Sequence, residues 1–517
     1  MATPVPSQPP RPQQLPQPHP PAPPPQRCPA PTPLVDALHA RGQLRHELAL
    51  HIPGHKRGRG TPPALRRLVP ASALAFDVTE LAGLDVLSCA SGPIAEAQRL
   101  AAALWRADAT RFLVSGSTGG VLAAVLGTCA AGDTLLLARN AHQSALAGAA
   151  LAGATPAWLA PSLDAALGVA GAVTPAELDR AVRLALGRGA RPAAALVVSP
   201  TYFGELGDVA GLAAVAHAHG LPLLVDEAHG AHLGLHPSFP ASALACGADV
   251  VVQSTHKTLG ALTQAALLHV RGGRVDLDRL DQALQMVQSS SPSYLLMASL
   301  DAARAQASDP AAFEPCLAAA AAARAGADRV PGVAALTPPP ARADPLRLTL
   351  GVEALGLDGP AAAAWLEAEA GVVLEMSTPR TVVAAFGIGS AAGDGNALVE
   401  GLWALSRAHW DPGRPARCAS GTGPSEPGLT PPPLPEVVLA PREALARRTT
   451  AVPLVASLGR VAAEAVCPYP PGIPVLVPGE RVDRATLRAL RDAAAAGRRV
   501  TGCADASLRT LRVVEEG

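Results

Sequence analysis

The run Gln253-Ser-Thr-His-Lys-Thr-Leu-Gly-Ala-Leu-Thr-Gln264 puts Lys257 directly after a histidine, behind the apolar stretch Val250-Val-Val252 and ahead of small residues. Desolvation lowers the pKa of an amine, so a lysine in such surroundings is a nucleophile toward an aldehyde at neutral pH. Ser254 and His256 stand within reach of a phosphate or a ring oxygen on the same partner. The alternative is a lysine in a surface turn, and its neighbours weigh against that. Leu223-Leu-Val-Asp226-Glu227-Ala228-His229 ends a wholly apolar strand on a carboxylate, a costly arrangement unless a positive group pairs with it. A protonated pyridine nitrogen is such a partner, because an electron-poor ring absorbs the electrons released when a bond to a substrate Cα breaks. Lysine and aspartate together point to pyridoxal 5′-phosphate. The chain between them is long enough for one helix and a returning strand, so both can converge on one ring. Two other readings of Asp226 are a helix N-cap and a metal site shared with His229 and His232.

Two more segments carry polar chemistry. Ser115-Gly-Ser-Thr-Gly-Gly120 lies between a strand ending at Val114 and a helix beginning near Val121. Glycines let backbone N–H groups approach an anion, Ser117 and Thr118 add hydroxyl donors, and a helix N-terminus favours negative charge. A plain tight turn is the competing reading, and the Gly-Lys-Ser/Thr ending of a nucleoside-triphosphate loop is missing. His142, in Arg139-Asn-Ala-His-Gln-Ser144, follows another strand. There it is placed to stack on a pyridine ring or hand over a proton, unless it is a structural histidine.

These residues need a scaffold that brings strand ends together. β-rich runs at 111–114, 134–137, 194–198, 223–225 and 250–252 alternate with Ala/Leu-rich helical stretches. Such alternation implies right-handed crossovers and a mostly parallel sheet covered on both faces. Ligands then sit beyond the carboxyl ends of the strands, where the chemical residues fall.

The 517 residues, 49% of them hydrophobic, suffice for two or three domains. Lys+Arg and Asp+Glu both number 42, so net charge favours a small-molecule partner over nucleic acid or an acidic membrane. The eight cysteines are scattered without Cys-x-x-Cys or metal-ligand spacing, which favours a reducing intracellular compartment, cytoplasmic or organellar such as a plastid, and no structural zinc. No uncharged apolar run approaches the roughly eighteen residues of a membrane span. Residues 1–31 form a Pro/Gln-rich tail that cannot build a core, a linker or a targeting leader. A second Pro/Gly-rich stretch, 411–435, reads as a linker to a C-terminal domain at 436–517.

With these residues in view, the chain resembles the pyridoxal-phosphate-dependent Orn/Lys/Arg decarboxylases, of fold type I (aspartate aminotransferase-like). Ser254-Thr-His-Lys257 with Gly260, Ala261, Thr263 and Gln264 matches that family's cofactor-attachment signature. Further blocks agree in order: His51-Ile-Pro-Gly-His-Lys-Arg-Gly58, Asp77-Val-Thr-Glu-Leu81 with Gly83-Leu-Asp85, Ser199-Pro-Thr-Tyr202, and Ser291-Pro-Ser-Tyr294 with Met297-Ala-Ser-Leu-Asp301. Pro441-Arg-Glu443, Gly459-Arg460, Ala463-Glu464, Tyr469-Pro-Pro-Gly-Ile-Pro474 and Pro478-Gly-Glu480 continue the likeness after the linker. The resemblance implies an α/β large domain within 32–295, a smaller α+β domain at 296–410 and an α+β C-terminal domain.

It also implies roles. Lys257 carries the cofactor as a Schiff base, Asp226 faces the pyridine nitrogen, and His142 stacks on the ring opposite Ala228 and His229. Ser117, Thr118, Gly119, Ser254 and His256 hold the phosphate, joined by Ser290 and Ser291 of a neighbouring subunit in a homodimer. Ser115 stands where the family often has Asn, Gln143 where it has Lys, and Ser290 where it has Thr, which bears on affinity more than on chemistry. The implied reaction is decarboxylation of a basic L-amino acid in polyamine biosynthesis, arginine to agmatine favoured over lysine or ornithine. Glu464 and Glu480 are the candidate partners of the substrate's cationic end. An aminotransferase or carbon–sulfur lyase, gripping a carboxylate with Arg347 or Arg380, is one rival; a non-catalytic regulatory relative is another.

Overall fold

In the computed structural model, residues 30–44, 47–413, 434–468, 472–495 and 499–515 are described. The proline tail up to residue 29, most of the 411–435 linker and the Tyr469-Pro-Pro part of the C-terminal motif fall outside them.

The main sheet has seven strands: β1 (Ala109–Leu113), β2 (Thr134–Ala138), β3 (Thr155–Leu159), β6 (Pro192–Val198), β7 (Leu223–Asp226), β8 (Val250–Gln253) and β9 (Ala266–Val270). A short hairpin, β4 (Leu163–Asp164) and β5 (Val169–Ala170), intervenes. The spatial order is β1-β9-β8-β7-β6-β2-β3, all parallel except β9, which runs antiparallel to both neighbours. Residues of β2, β7, β8 and β9 are buried throughout, as a sheet covered on both faces requires. The five strands expected from the sequence are present within a residue or two of their bounds. β3 and β9 were not anticipated: Pro156 interrupts one, and His269, buried in the other, masks its apolar run.

A second sheet, in the order β10-β11-β13-β12, joins β10 (Ala334–Ala335), β11 (Arg347–Gly351), β12 (Met376–Ser377) and β13 (Thr381–Ala385), all antiparallel. One apolar core extends from Leu34 through both sheets to Leu405. The C-terminal unit has its own core around Leu476, Leu490, Leu511 and Val513. It pairs β14 (Thr449–Pro453) with β17 (Thr510–Val514) and β15 (Cys467–Pro468) with β16 (Val500–Thr501). Among the described residues, no helix is long and apolar enough to cross a membrane.

Several motif residues tie this frame together. Asp85 accepts backbone N–H groups from Ser91, Gly92, Ile94 and Ala95, capping the helix Pro93–Trp105, and its carbonyl receives the Tyr294 hydroxyl at 2.6 Å. Burial works against its charge, yet the amides of Ser91, Val86, Gly92 and Ala95 hold its pKa below the usual carboxylate value. Asp301, fully buried, accepts Leu34 N at 2.9 Å and Val35 N at 3.4 Å, and pairs with Arg304 at 2.7 Å. It thereby caps the helix Pro33–Gly42 from a distant helix, Tyr294–Ala307. We expect Asp301→Ala, which strands the buried Arg304 charge and two amides, to destabilise the fold by about 3 kcal/mol. Denaturant unfolding measures this, and a loss below about 0.5 kcal/mol, the scale of an ordinary surface change, would contradict it.

Candidate active site

Lys257 lies in a four-residue helical turn, Thr255–Thr258, immediately after β8. A cavity of about 300 Å³ opens there at the carboxyl ends of the strands. Its walls include Ser117, Thr118, His142, Asp226, Ala228, His229, Ser254, His256 and Lys257, so the structure gathers nine of the twelve expected site residues around one space. Tyr202, Thr263 and Gln264 complete much of the wall.

The lysine amine sits in a row of three nitrogen groups. Its Nζ is 3.1 Å from His229 Nε2, and His229 Nδ1 is 2.7 Å from Arg347 Nη2. A guanidinium only donates, so Nδ1 must accept; the ring proton of a neutral His229 then sits on Nε2 and points at Lys257. That contact favours the neutral form of the Lys257 amine. Solvent in the cavity reaches its side chain, but protein atoms crowd its amine: desolvation lowers the pKa, opposed by Asp226 and reinforced by Arg347. His229 is pushed well below its ordinary value, first by burial and then by the Lys257 and Arg347 charges. Tyr202 packs edge-on against the His229 ring, centroids 5.0 Å apart.

Asp226 is 7% exposed and accepts Ala228 N at 3.1 Å. Burial raises its pKa, while Lys257 and His142 pull it back. A second positive charge in the cavity would complete that compensation. His142 caps the helix Gln143–Ala152: Nδ1 accepts Ser144 N at 3.2 Å, which leaves the proton of the neutral ring on Nε2. Burial lowers the His142 pKa, Asp226 raises it and Lys257 lowers it further.

Opposite the lysine, the helix begins at Gly116, five residues earlier than the sequence suggested, so Ser117 and Thr118 fall in its first turn, where amides lack intrahelical partners. Ser254 Oγ donates to Ser117 Oγ at 2.8 Å. His256 Nδ1 is 2.9 Å from the Ala265 carbonyl and therefore carries the proton. Gly119 departs from the expectation: its amide is bonded to the Ser115 carbonyl at 3.2 Å and it is not on the cavity wall. Gly120 is small for packing, since a Cβ there would come within 2.5 Å of Leu113 and 2.7 Å of Val252.

Other expectations resolve differently. Ser290 and Ser291 are exposed and stand away from this chain's own cavity. Glu464 accepts the amides of Ala504 and Arg512 within the C-terminal unit, and Glu480 accepts Val477 N and faces Arg139 at 3.6 Å. Both carboxylates satisfy backbone or buried charge, and neither lines the cavity. Arg380 is 3.2 Å from Glu353, while Arg347 reaches the site through His229. His232 pairs with Asp344 at 2.9 Å instead of turning to Asp226, and among the described residues no His/Cys/Asp/Glu group could hold a metal. The sequence passed over Glu375, whose carboxylate raises the pKa of both Lys257 and Arg347.

Residues 32–340 match the family model "Orn/Lys/Arg decarboxylase, major domain", and 430–505 match the corresponding C-terminal domain. The chain belongs to the Orn/Lys/Arg decarboxylase family. It is an amino-acid decarboxylase. It is 34% identical to the arginine decarboxylase of Bacillus anthracis over 497 residues, covering 94% of this chain and 97% of that protein. Identity to the arginine decarboxylase of Bacillus subtilis is 33%, covering 94% and 98%. Among solved structures, the Francisella novicida lysine decarboxylase superposes with a TM-score of 0.80 at 19% identity over 94% of this chain and 81% of that one. The shared fold is thus the one expected from the sequence.

Below the cavity, Gln253 Nε2 donates to Glu227 at 2.7 Å, Gln253 Oε1 meets His269 Nε2 at 3.1 Å, and His269 Nδ1 meets Thr110 Oγ1 at 2.8 Å. This buried chain links β7, β8, β9 and β1 beside Asp226 and Ser254. Burial pushes Glu227 up to about 8. Across the window from the ordinary glutamate value to about 8, the folded chain holds a proton that the unfolded chain lacks, so stability falls as pH rises through it. Glu227→Gln should remove that component: in chemical denaturation, its stability relative to the parent should improve steadily from pH 5 to 8.5. Parallel curves would refute the assignment.

Proposed function

We propose that this decarboxylase uses pyridoxal 5′-phosphate attached at Lys257 to remove the α-carboxylate of a basic L-amino acid, with arginine giving agmatine the favoured reaction. The observation that carries the reading is the Lys257 amine, 3.1 Å from His229, in one cavity with the buried Asp226 carboxylate. When bound, the cofactor supplies an aldehyde that condenses with amines and a ring that takes up the electron pair freed at Cα.

The residues present fit it. The hydroxyls of Ser117, Thr118 and Ser254, the first-turn amides and His256 form the polar end of the cavity suited to the phosphate. Asp226 would hold a proton at the pyridine nitrogen, and His142 and Ala228, on the same cavity wall, would border the ring. Desolvation lowers the Lys257 pKa, which favours the amine form that would exchange with an incoming amine. The strand ends gather these groups around one space, where they would orient the substrate's Cα–carboxylate bond. The proton returned to Cα falls to Lys257 or His142, the two carriers nearest the space. Arginine is favoured because relatives matching nearly the whole chain bear the name arginine decarboxylase.

The working unit in this reading is a homodimer, with Ser290 and Ser291 of each copy completing the phosphate site of the other. Exposed Leu48, Leu50, Leu68 and Met286 supply apolar surface for such an interface. We place the enzyme in the cytoplasm, supplying the first amine for polyamine biosynthesis, and divide the chain at 32–295, 296–410 and 436–517.

Carbon dioxide release from arginine, lysine, ornithine and neutral amino acids tests the reaction. Lys257→Ala should lose activity and the visible absorbance of the lysine-bound cofactor, and Asp226→Asn should lower kcat by on the order of a hundredfold. A colourless protein with no borohydride-trapped adduct at Lys257 would refute the cofactor assignment, and release only from neutral amino acids would refute the substrate class.

A further inference from the structure

Arg139 stands three residues before His142, and its guanidinium is among the most deeply buried groups in the chain, 1% exposed. Nη1 donates to the Pro474 carbonyl at 2.6 Å and Nη2 to that of Val475 at 2.8 Å, both in the C-terminal unit. It also lies 3.6 Å from the Glu480 carboxylate and 4.5 Å over the ring of Trp158 on β3. The helix that His142 opens, Gln143–Ala152, is gripped at its far end as well. Arg442, an exposed residue of the C-terminal unit, donates Nε to Ala150 O at 3.1 Å and Nη2 to Leu151 O. The Ala150 carbonyl also receives the Gly153 amide at 3.2 Å, and a cation at these last-turn carbonyls complements the helix dipole. Gly153, at φ +75°, leaves room for this guanidinium: a Cβ would come within 2.9 Å of it.

Neither arginine lines the cavity. Burying a guanidinium is an expensive way to dock one unit on another, since apolar contact does so with less desolvation. A planar fork on two carbonyls adds direction, fixing where Arg139 lies and in which plane. Three residues extend the chain by at most about 10 Å, so the placement of Arg139 is passed to His142 with little slack.

We propose that the C-terminal unit positions His142: Arg139 and Arg442 hold both ends of the segment that carries it and so set where its imidazole stands over the cofactor. This rests on the reading of His142 as the ring-stacking group. Both arginines are positioning residues and touch no reacting atom.

The test uses the full-length chain with Arg442→Ala, and with Arg139→Met combined with Glu480→Gln so that no buried carboxylate is left uncompensated. Three quantities are read: the dissociation constant of pyridoxal phosphate, the circular dichroism of the bound cofactor, and backbone hydrogen exchange over residues 139–152 in the cofactor-free chain. Each variant should weaken cofactor binding by about three- to tenfold, alter the cofactor's circular dichroism and speed exchange over that segment. In a His142→Ala background the same substitutions should change affinity by less than about twofold, because the group they position is gone. The pair Arg139→Met/Glu480→Gln tests the inner grip; should it fail to fold, Arg442→Ala at the exposed end decides alone. Unchanged affinity and circular dichroism would overturn the proposal, as would equal losses in the two backgrounds, which indicate general destabilisation. A parent chain that takes up no pyridoxal phosphate would fail on the cofactor reading itself, recognisable because no cofactor signal exists before any substitution.

Discussion

A lysine can serve as a nucleophile at neutral pH only where its charge is disfavoured, and in this chain that condition is set by one row of groups: Arg347, His229 and Lys257. The guanidinium cannot accept a hydrogen bond, so it dictates the His229 tautomer, and the tautomer favours a free lone pair on Lys257. Desolvation works in the same direction. Asp226 opposes it, which keeps the amine from being only a deeply apolar group and leaves a carboxylate waiting for a second cation. The large sheet serves this row by ending β7 and β8 at the same level, so that Asp226 and Lys257 open onto one space. Arg347 arrives from the first residue of β11, in the other sheet, so both sheets must be packed together before the lysine is tuned.

Several of the family-like motifs are explained by architecture more than by chemistry. Asp85 and Asp301 cap helices that begin elsewhere in the chain, Tyr294 reaches the carbonyl of Asp85, and His55 lies 3.0 Å from Asp77. Buried amides at helix starts need acceptors, and a carboxylate borrowed from another segment supplies several at once. The same physics accounts for Glu464 and Glu480. Their positions in family motifs suggested a hand in substrate recognition, but each answers backbone donors or a buried arginine.

Polar groups inside the sheet follow a related logic. Glu227, Gln253, His269 and Thr110 form an ordered donor-to-acceptor chain across four strands, with each member satisfying the next. Such a network fixes strand alignment more sharply than apolar packing, because one slipped residue would leave a buried group unpaired. It lies directly under the two strand ends that carry Asp226 and Ser254.

The sequence by itself determined the chemistry: a lysine after a histidine beyond one apolar run, an aspartate ending another, and a hydroxyl- and glycine-rich turn at a third. Local composition also specified five strands and the positions of most cavity residues, since each belongs to a short segment whose pattern survives without context. Tertiary structure alone decided the rest. It drew Arg347 to His229 across more than a hundred residues of chain, gave β9 its antiparallel place with a histidine in its core, removed Gly119 from the cavity wall, and sent Glu464 and Glu480 to structural duties. The physical reason is common to all of these: an amine, carboxylate or imidazole acquires its protonation state and its partners from groups distant in sequence, and only packing brings those groups within reach.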